Sequence, residues 1–379
     1  MIIPNRLEKI LFIAEDIHLK SEISGGVQIC TDEYIELLKT IGFEVIVYPV
    51  KHTRNIYTRI KIKLGVELYT RYDFKKESEK IVPILLSEKI NYVAINQIDF
   101  IKITPFLKLA TNNKVQIWGL SHGNESGDFL HHIVRGGSNN FFKRLRDISR
   151  LGFAVYNESY FFTNFLDAVF SISETEKEIN NWLGAKKSVF IPRIFQKRFL
   201  DWKPVLGRVG FVGTLNHKPN FDGLKMLLEE LNHNRQQNIE VQIIGSPAEL
   251  GKQLENEYNF VKYLGRLTDE AVENAAKNWA MVLNPVFWYS RGASTKLAQA
   301  IGWGIPIATT KAGNRGYVWK KGLLPEFSLP KEVADFIFEN SLSEEKLQIL
   351  ANEVKTIATN SPTLTEIAEN VKLQLNLKW

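Results

Sequence analysis

The chain has 379 residues, 44% hydrophobic and 24% charged, a balance that excludes a disordered or fibrous protein and leaves room for two domains with their own cores. A single cysteine, Cys30, excludes a disulfide framework and a cysteine-based metal cluster and fits a reducing cytoplasmic compartment. The formal net charge of +6 admits an anionic partner, whether nucleotide, nucleic acid or lipid surface, without choosing among them.

Residues 1–6 lead directly into the apolar run 10–14 and then Glu15 and Asp16, so no secretory leader is expected, and no apolar run reaches bilayer-spanning length. Residues 10–14 predict a strand. Ser24-Gly25-Gly26 follows, and Val27, Cys30, Tyr34, Leu37, Leu38 and Ile41 then recur at helical spacing up to Gly42. Residues 43–48 predict the next strand. The result is a βαβ unit with Gly25 and Gly26 at its first turn, where a backbone turns sharply or approaches a ligand closely. No third glycine completes a dinucleotide fingerprint.

Basic residues, among them Lys51, Arg54, Arg59, Lys61, Lys63 and Lys80, dominate the next segment and alternate with Ile56, Tyr57, Ile60 and Leu64. This pattern suits a solvated helix face or a surface for anionic headgroups. Residues 92–95 and 115–118 predict two buried strands separated by a helix-length segment. The second runs into the polar, glycine-punctuated loop 119–128, and open parallel sheets bind ligands beyond the carboxyl ends of their strands. His122 is therefore better placed for chemistry than His131 or His132, with Glu125 and Asp128 as companions. Residues 141–150 form a second basic and aromatic patch. Residues 168–172 predict a strand, Ser173 and Glu176 a capping box opening a helix that ends near Gly184, and residues 189–192 the close of the series.

The alternation restarts with a strand over 208–214, a polar turn and a helix from about Asn220. Strands over 241–245 and 261–267, a helix over 271–279 and a strand over 281–285 follow. Ser290 to Leu297 comes next. Gly292 suits a tight turn, Ser294 or Thr295 can cap a helix, and Leu297, Ala300 and Ile301 share one helical face. Gly304 and Pro306 end that helix before the apolar run 307–310. Lys296 is a cation in the first helical turn, where the macrodipole disfavours it unless an anion lies beyond. With the backbone of Gly292, Ala293, Ser294 and Thr295 it makes a candidate phosphate cradle. From Ser343 on, Leu347, Leu350, Val354 and Ile357 mark one helix and Leu364, Ile367, Val371 and Leu375 another. Two successive α/β series imply two facing Rossmann-like domains with a cleft between them.

This order of elements resembles a GT-B glycosyltransferase, of the retaining nucleotide-sugar-dependent family 4 (glycosyl transferases group 1). Gly25-Gly26, Ser171-Ile172-Ser173-Glu174 with Ile191-Pro192, Val212-Gly213-Thr214 through Asn220, and Lys296 through Pro306 carry the resemblance. It implies an acceptor-side domain over 1–195, a donor domain over 203–358 and a C-terminal helix, 359–379, returning to the first domain. It places Gly213, Thr214, Lys218 and Lys296 with residues 292–295 at the donor diphosphate, Gly25 and Gly26 near the phosphates, and Arg266 at the base. His122 contacts the transferred sugar or orients the acceptor, with Glu125 beside it. Where the family has two glutamates two helical turns apart, this chain has Arg291 and Gln299, and Gln299 can still hydrogen-bond a ribose.

The implied activity is transfer of a sugar from a nucleotide-diphosphate sugar to a saccharide, lipid-linked or protein-linked acceptor in polysaccharide or glycoconjugate biosynthesis. No metal or other cofactor is expected. The expected location is cytoplasmic, with peripheral contact at the inner face of the membrane an option, and no nucleic-acid partner is expected because no reading motif is present. An epimerase or hydrolase acting on nucleotide sugars, or a non-catalytic nucleotide-sugar binder, are the alternatives on the same fold.

Overall fold

The computed structural model describes residues 7–19, 26–51, 56, 57, 60, 64, 72–136, 140–233 and 238–377. Gly25 and most of the basic stretch between Lys51 and Arg71 lie outside them. The chain divides into two compact units, Met1–Pro192 with Thr363–Trp379, and Arg193–Pro362.

In the first unit, Ile10, Leu11, Phe12, Ile13 and Ala14 are all completely buried. Strand β1 (Glu8–Glu15) is thus covered on both faces, which is why its sequence is a continuous apolar run rather than an alternation. It pairs in parallel with β2 (Phe43–Val50) and β3 (Tyr92–Asn96). The sheet continues through β4 (Gln116–Leu120), β5 (Ala168–Ser171) and β6 (Ser188–Phe190) in the order β2-β1-β3-β4-β5-β6. The helices are α1 (Gly26–Ile41), α2 (Phe74–Ser87), α3 (Thr104–Ala110), α4 (Glu125–Gly136), α5 (Phe141–Asn164) and α6 (Glu174–Trp182). Strand order reverses between β1 and β3, so the loops leaving these strands diverge at the sheet's carboxyl edge, the place where open parallel sheets bind ligands.

The second unit is a five-stranded parallel sheet of order β11-β10-β7-β8-β9. Its strands are β7 (Val205–Thr214), β8 (Glu240–Ser246), β9 (Val261–Gly265), β10 (Trp279–Asn284) and β11 (Ile307–Thr309). Helices α7 (Lys218–His233), α8 (Ala248–Glu257), α9 (Asp269–Ala276), α10 (Thr295–Trp303), α11 (Pro330–Asn340) and α12 (Glu344–Thr359) accompany it. The order reverses between β7 and β10, so the turn into α7 and the loop into α10 leave from adjacent strands. The last helix, α13 (Leu364–Leu375), belongs to the first unit, packs against α1 and buries Ile367, Ala368 and Val371.

Three local expectations change. The helix expected over 271–279 stops at Ala276, and Trp279 opens β10. Its indole is completely buried over Gly210, where a Cβ would come within 1.9 Å of the ring, and its Nε1 donates to Gln242 Oε1 at 2.8 Å. The strand expected over 261–267 ends at Gly265, whose φ of 81° turns the chain. Ser173 does accept from the Glu176 N–H, yet the Glu176 carboxylate reaches Asn124 N instead of closing a capping box.

Candidate functional site

In the second unit the candidate residues gather where the strand order reverses. Asn284, the last residue of β10, is completely buried, and its Nδ2 reaches Ser294 Oγ and Thr309 Oγ1 at 3.1 Å each and Gly313 O at 2.9 Å. This ties the loop into α10 to the exit of β11. Ser294 N donates to Arg315 O, and Ser294 Oγ caps α10 by accepting from Leu297 N. Gly292 takes a φ of 71°, the left-handed conformation that favours glycine. The first turn of α10 is therefore held by contacts outside the helix.

Lys296 lies in that turn and is only 7% exposed. Its Nζ donates to Asn220 Oδ1 at 2.8 Å and sits 5.2 Å from the centroid of the Phe211 ring. Asn220 Nδ2 in turn donates to Thr214 O at 3.0 Å. A relay of Lys296, Asn220 and Thr214 thus joins the first turn of α10, the first turn of α7 and the end of β7. Burial pushes the Lys296 ammonium down to about 7, and the nearby positive charge of Arg315 adds to the effect. Arg315 is anchored through Ser290 Oγ and Ala312 O, each at 3.0 Å.

The other donor-side candidates lie around this relay at different depths. Gly213 and Thr214 end β7, and a Cβ on Gly213 would lie 3.2 Å from the Phe211 ring and 3.4 Å from Asn220 Nδ2. Lys218 opens α7, two residues earlier than expected, and pairs with Asp222 one turn on at 3.2 Å. Ala293 is partly buried in the loop and Thr295 is exposed at the helix start. Gln299, partly buried, follows Thr295 by one turn on the same face of α10. Arg291 is exposed. Arg266 is exposed just beyond β9, two strands or roughly 10 Å across the sheet from β7, so the relay does not include it.

In the first unit the loop after β4 carries His122. Thr31 on α1 donates its hydroxyl to Val27 O and accepts from Asn96 Nδ2 at 2.9 Å. The Asn96 amide therefore turns Oδ1 towards His122 Nε2, 2.7 Å away, and Nε2 carries the proton. A neutral His122 then has its lone pair on Nδ1. Tyr34 fixes the ring edgewise at 5.6 Å between centroids and donates its hydroxyl to Ser121 O.

Two buried glutamates brace the rest of this loop. Glu158 on α5 accepts from Ser126 Oγ, Ser126 N and Asn124 Nδ2, and Glu176 on α6 accepts from Asn124 N. Glu125 opens α4 and is exposed. Gly26 opens α1, and a Cβ there would meet none of the described atoms within 4 Å.

Sequence reading missed Asn96, Tyr34, Glu158, Asn284 and Arg315, and the cross-link made by Asn220. One signal was available: Asn96 and Asn284 each end an otherwise apolar strand, YVAIN and WAMVLN. A fully buried amide at the carboxyl end of a strand must be holding a neighbour. Among the described residues no group of three or more His, Cys, Asp or Glu side chains is placed to hold a metal ion. Among them no helix is long and apolar enough to cross a membrane.

Residues 207–339, most of the second unit, match the family model for glycosyl transferases group 1. No curated protein sequence matches the chain. The fold is similar to that of Anabaena HepE, solved with UDP and glucose, at 15% identity and a TM-score of 0.62 over 97% of this chain and 99% of that one. It is also similar to WaaB, a lipopolysaccharide outer core galactosyltransferase, at 17% identity and a TM-score of 0.61 over 97% and 100% of the two chains. Sucrose-phosphate synthase from Thermosynechococcus elongatus is similar at 15% identity and a TM-score of 0.56 over 97% and 94%. The chain thus has the GT-B fold, and its second unit carries the glycosyl transferases group 1 pattern.

Proposed function

We propose that this protein transfers a sugar, with retention and without a metal, from a nucleotide-diphosphate sugar to an acceptor in polysaccharide or glycoconjugate biosynthesis. The observation that carries the reading is the relay of Lys296, Asn220 and Thr214, which brings a buried cation and the first turns of two helices to one point of the second sheet. Breaking a sugar–phosphate bond places negative charge on the departing diphosphate. Helix N–H groups and a desolvated ammonium are the groups that stabilise such charge as it develops. Lys218, at the start of α7, adds a second cation once it exchanges Asp222 for phosphate. Gln299 is the candidate ribose contact and Arg266 the candidate base contact. His122, oriented by Asn96 and Tyr34, is the group assigned to the sugar or acceptor, with Glu125 as its companion. We place the enzyme in the cytoplasm, where nucleotide sugars serve as donors.

The test is incubation with a panel of nucleotide sugars, beginning with uridine donors because HepE is solved with UDP-glucose, with and without saccharide and lipid-linked acceptors and with a chelator present. Acceptor-dependent release of nucleotide that survives chelation supports the proposal. Acceptor-free conversion marks an epimerase or hydrolase. Binding without turnover marks a nucleotide-sugar binder, the outcome that Arg291 and Gln299 in place of two glutamates would explain.

A further inference from the structure

Helix α5 has two apolar faces, and only one of them is used by the fold. Ala154, Phe161 and Phe162 are buried, together with the helix's two acids, Asp147 and Glu158. On the other side Phe141, Leu145, Ile148, Tyr156 and Tyr160 recur every three to eight residues, which keeps them on one face of the helix, and all are exposed. Phe142 beside them is 79% exposed. This stripe runs for about five turns, or roughly 28 Å. A contiguous apolar face of that size marks a surface that meets something other than water.

The charges flanking the stripe say what. Lys143, Arg144 and Arg146 are exposed at its first turns, and with both acids buried the exposed charge of the helix is purely positive. Asp147 touches Arg146 at 3.5 Å and offsets only that one cation. A second copy of the chain would bring the same cations and no exposed acid from this helix, whereas anionic headgroups neutralise them while the aromatic rings enter the acyl boundary. The same unit also exposes Ile56, Tyr57, Ile60 and Leu64, within the basic stretch noted in the sequence. We propose that the outer face of α5 docks the protein on an anionic lipid bilayer, lying in the interface without crossing it.

Co-sedimentation of the full chain with vesicles tests this, comparing phosphatidylcholine alone with phosphatidylcholine containing phosphatidylglycerol. The expected result is partitioning onto the anionic vesicles that weakens with salt and is about tenfold lower on neutral ones. Phe141→Ser combined with Phe142→Ser, and separately Lys143→Glu combined with Arg144→Glu, should each lower it by about tenfold or more with unchanged circular dichroism and elution volume. Absence of binding, equal binding to neutral vesicles, or an elution shift in the Phe141→Ser, Phe142→Ser protein would overturn the proposal, the last by showing a self-association surface. Vesicle binding is read without turnover, so it stands or falls separately from sugar transfer.

Discussion

The ammonium of Lys296 sits against a carboxamide and an aromatic face with almost no water around it. Its depressed value of about 7 against the ordinary 10.5 has a sign that can be checked. Between those two values the unfolded chain binds the lysine proton more fully than the folded one, so stability rises with pH across that window. Below about 7 both states are protonated and the burial penalty is felt in full. Tm of the wild type should therefore climb from about pH 7 to pH 9, by at most about 1.4 kcal/mol of stability per pH unit, and this component should be missing from Lys296→Met. Above about pH 10 Tyr48 and Tyr258, both raised to about 12 by burial, pull the other way. The second residue-scale prediction concerns His122. His122→Ala should lower kcat and leave nucleotide affinity intact, and Asn96→Ala, which frees the ring and also removes the hydrogen bond to Thr31, should lower kcat by a smaller factor, on the order of tenfold. Equal loss of donor affinity in either variant would move His122 out of the proposed role.

At the scale of elements, the relay depends on how closely α7 approaches the exit of β10. Gly223 in α7 permits that approach, since a Cβ there would lie 1.9 Å from Pro285 O. A backbone oxygen cannot step aside as a side chain can, so Gly223→Ala should push α7 outward, at about 1–3 kcal/mol of stability, and lengthen the reach from Lys296 to Asn220. Denaturant melts and nucleotide titration of this one variant should show both losses together. The strands themselves were legible because a strand buried on both faces writes itself as an apolar run, as in residues 10–14 and 281–283. Trp279 was misplaced because helix α9 and strand β10 are separated by only Lys277 and Asn278, and the packing of its indole over Gly210 is a contact no local spacing encodes. The same holds for the site. The helix cap and the lysine in the first turn of α10 are local features and were visible. The partners that orient them are distant in the chain: Asn96 lies 26 positions from His122 and is itself held by Thr31, 65 positions from it, and Asn220 lies 76 positions from Lys296.

Across the whole molecule, the net charge of +6 attracts any polyanion to some degree, so nucleotide binding alone says little about where it occurs. The pH dependence does. A diphosphate at the relay must restore the Lys296 proton, so its binding takes up a proton wherever the free protein has lost one, and affinity falls as pH rises above about 7. A diffuse surface attraction through exposed lysines would instead hold until their ordinary range near 10. The most direct measurement is calorimetric titration of UDP into the wild type and Lys296→Met at about pH 7.5 and about pH 9, where the nucleotide's own phosphate is already ionised. In the wild type, binding should take up protons and be about tenfold or more weaker at the higher pH, and in Lys296→Met it should be weak and independent of pH. Equal affinity of the two proteins at both values would contradict a diphosphate site at the relay.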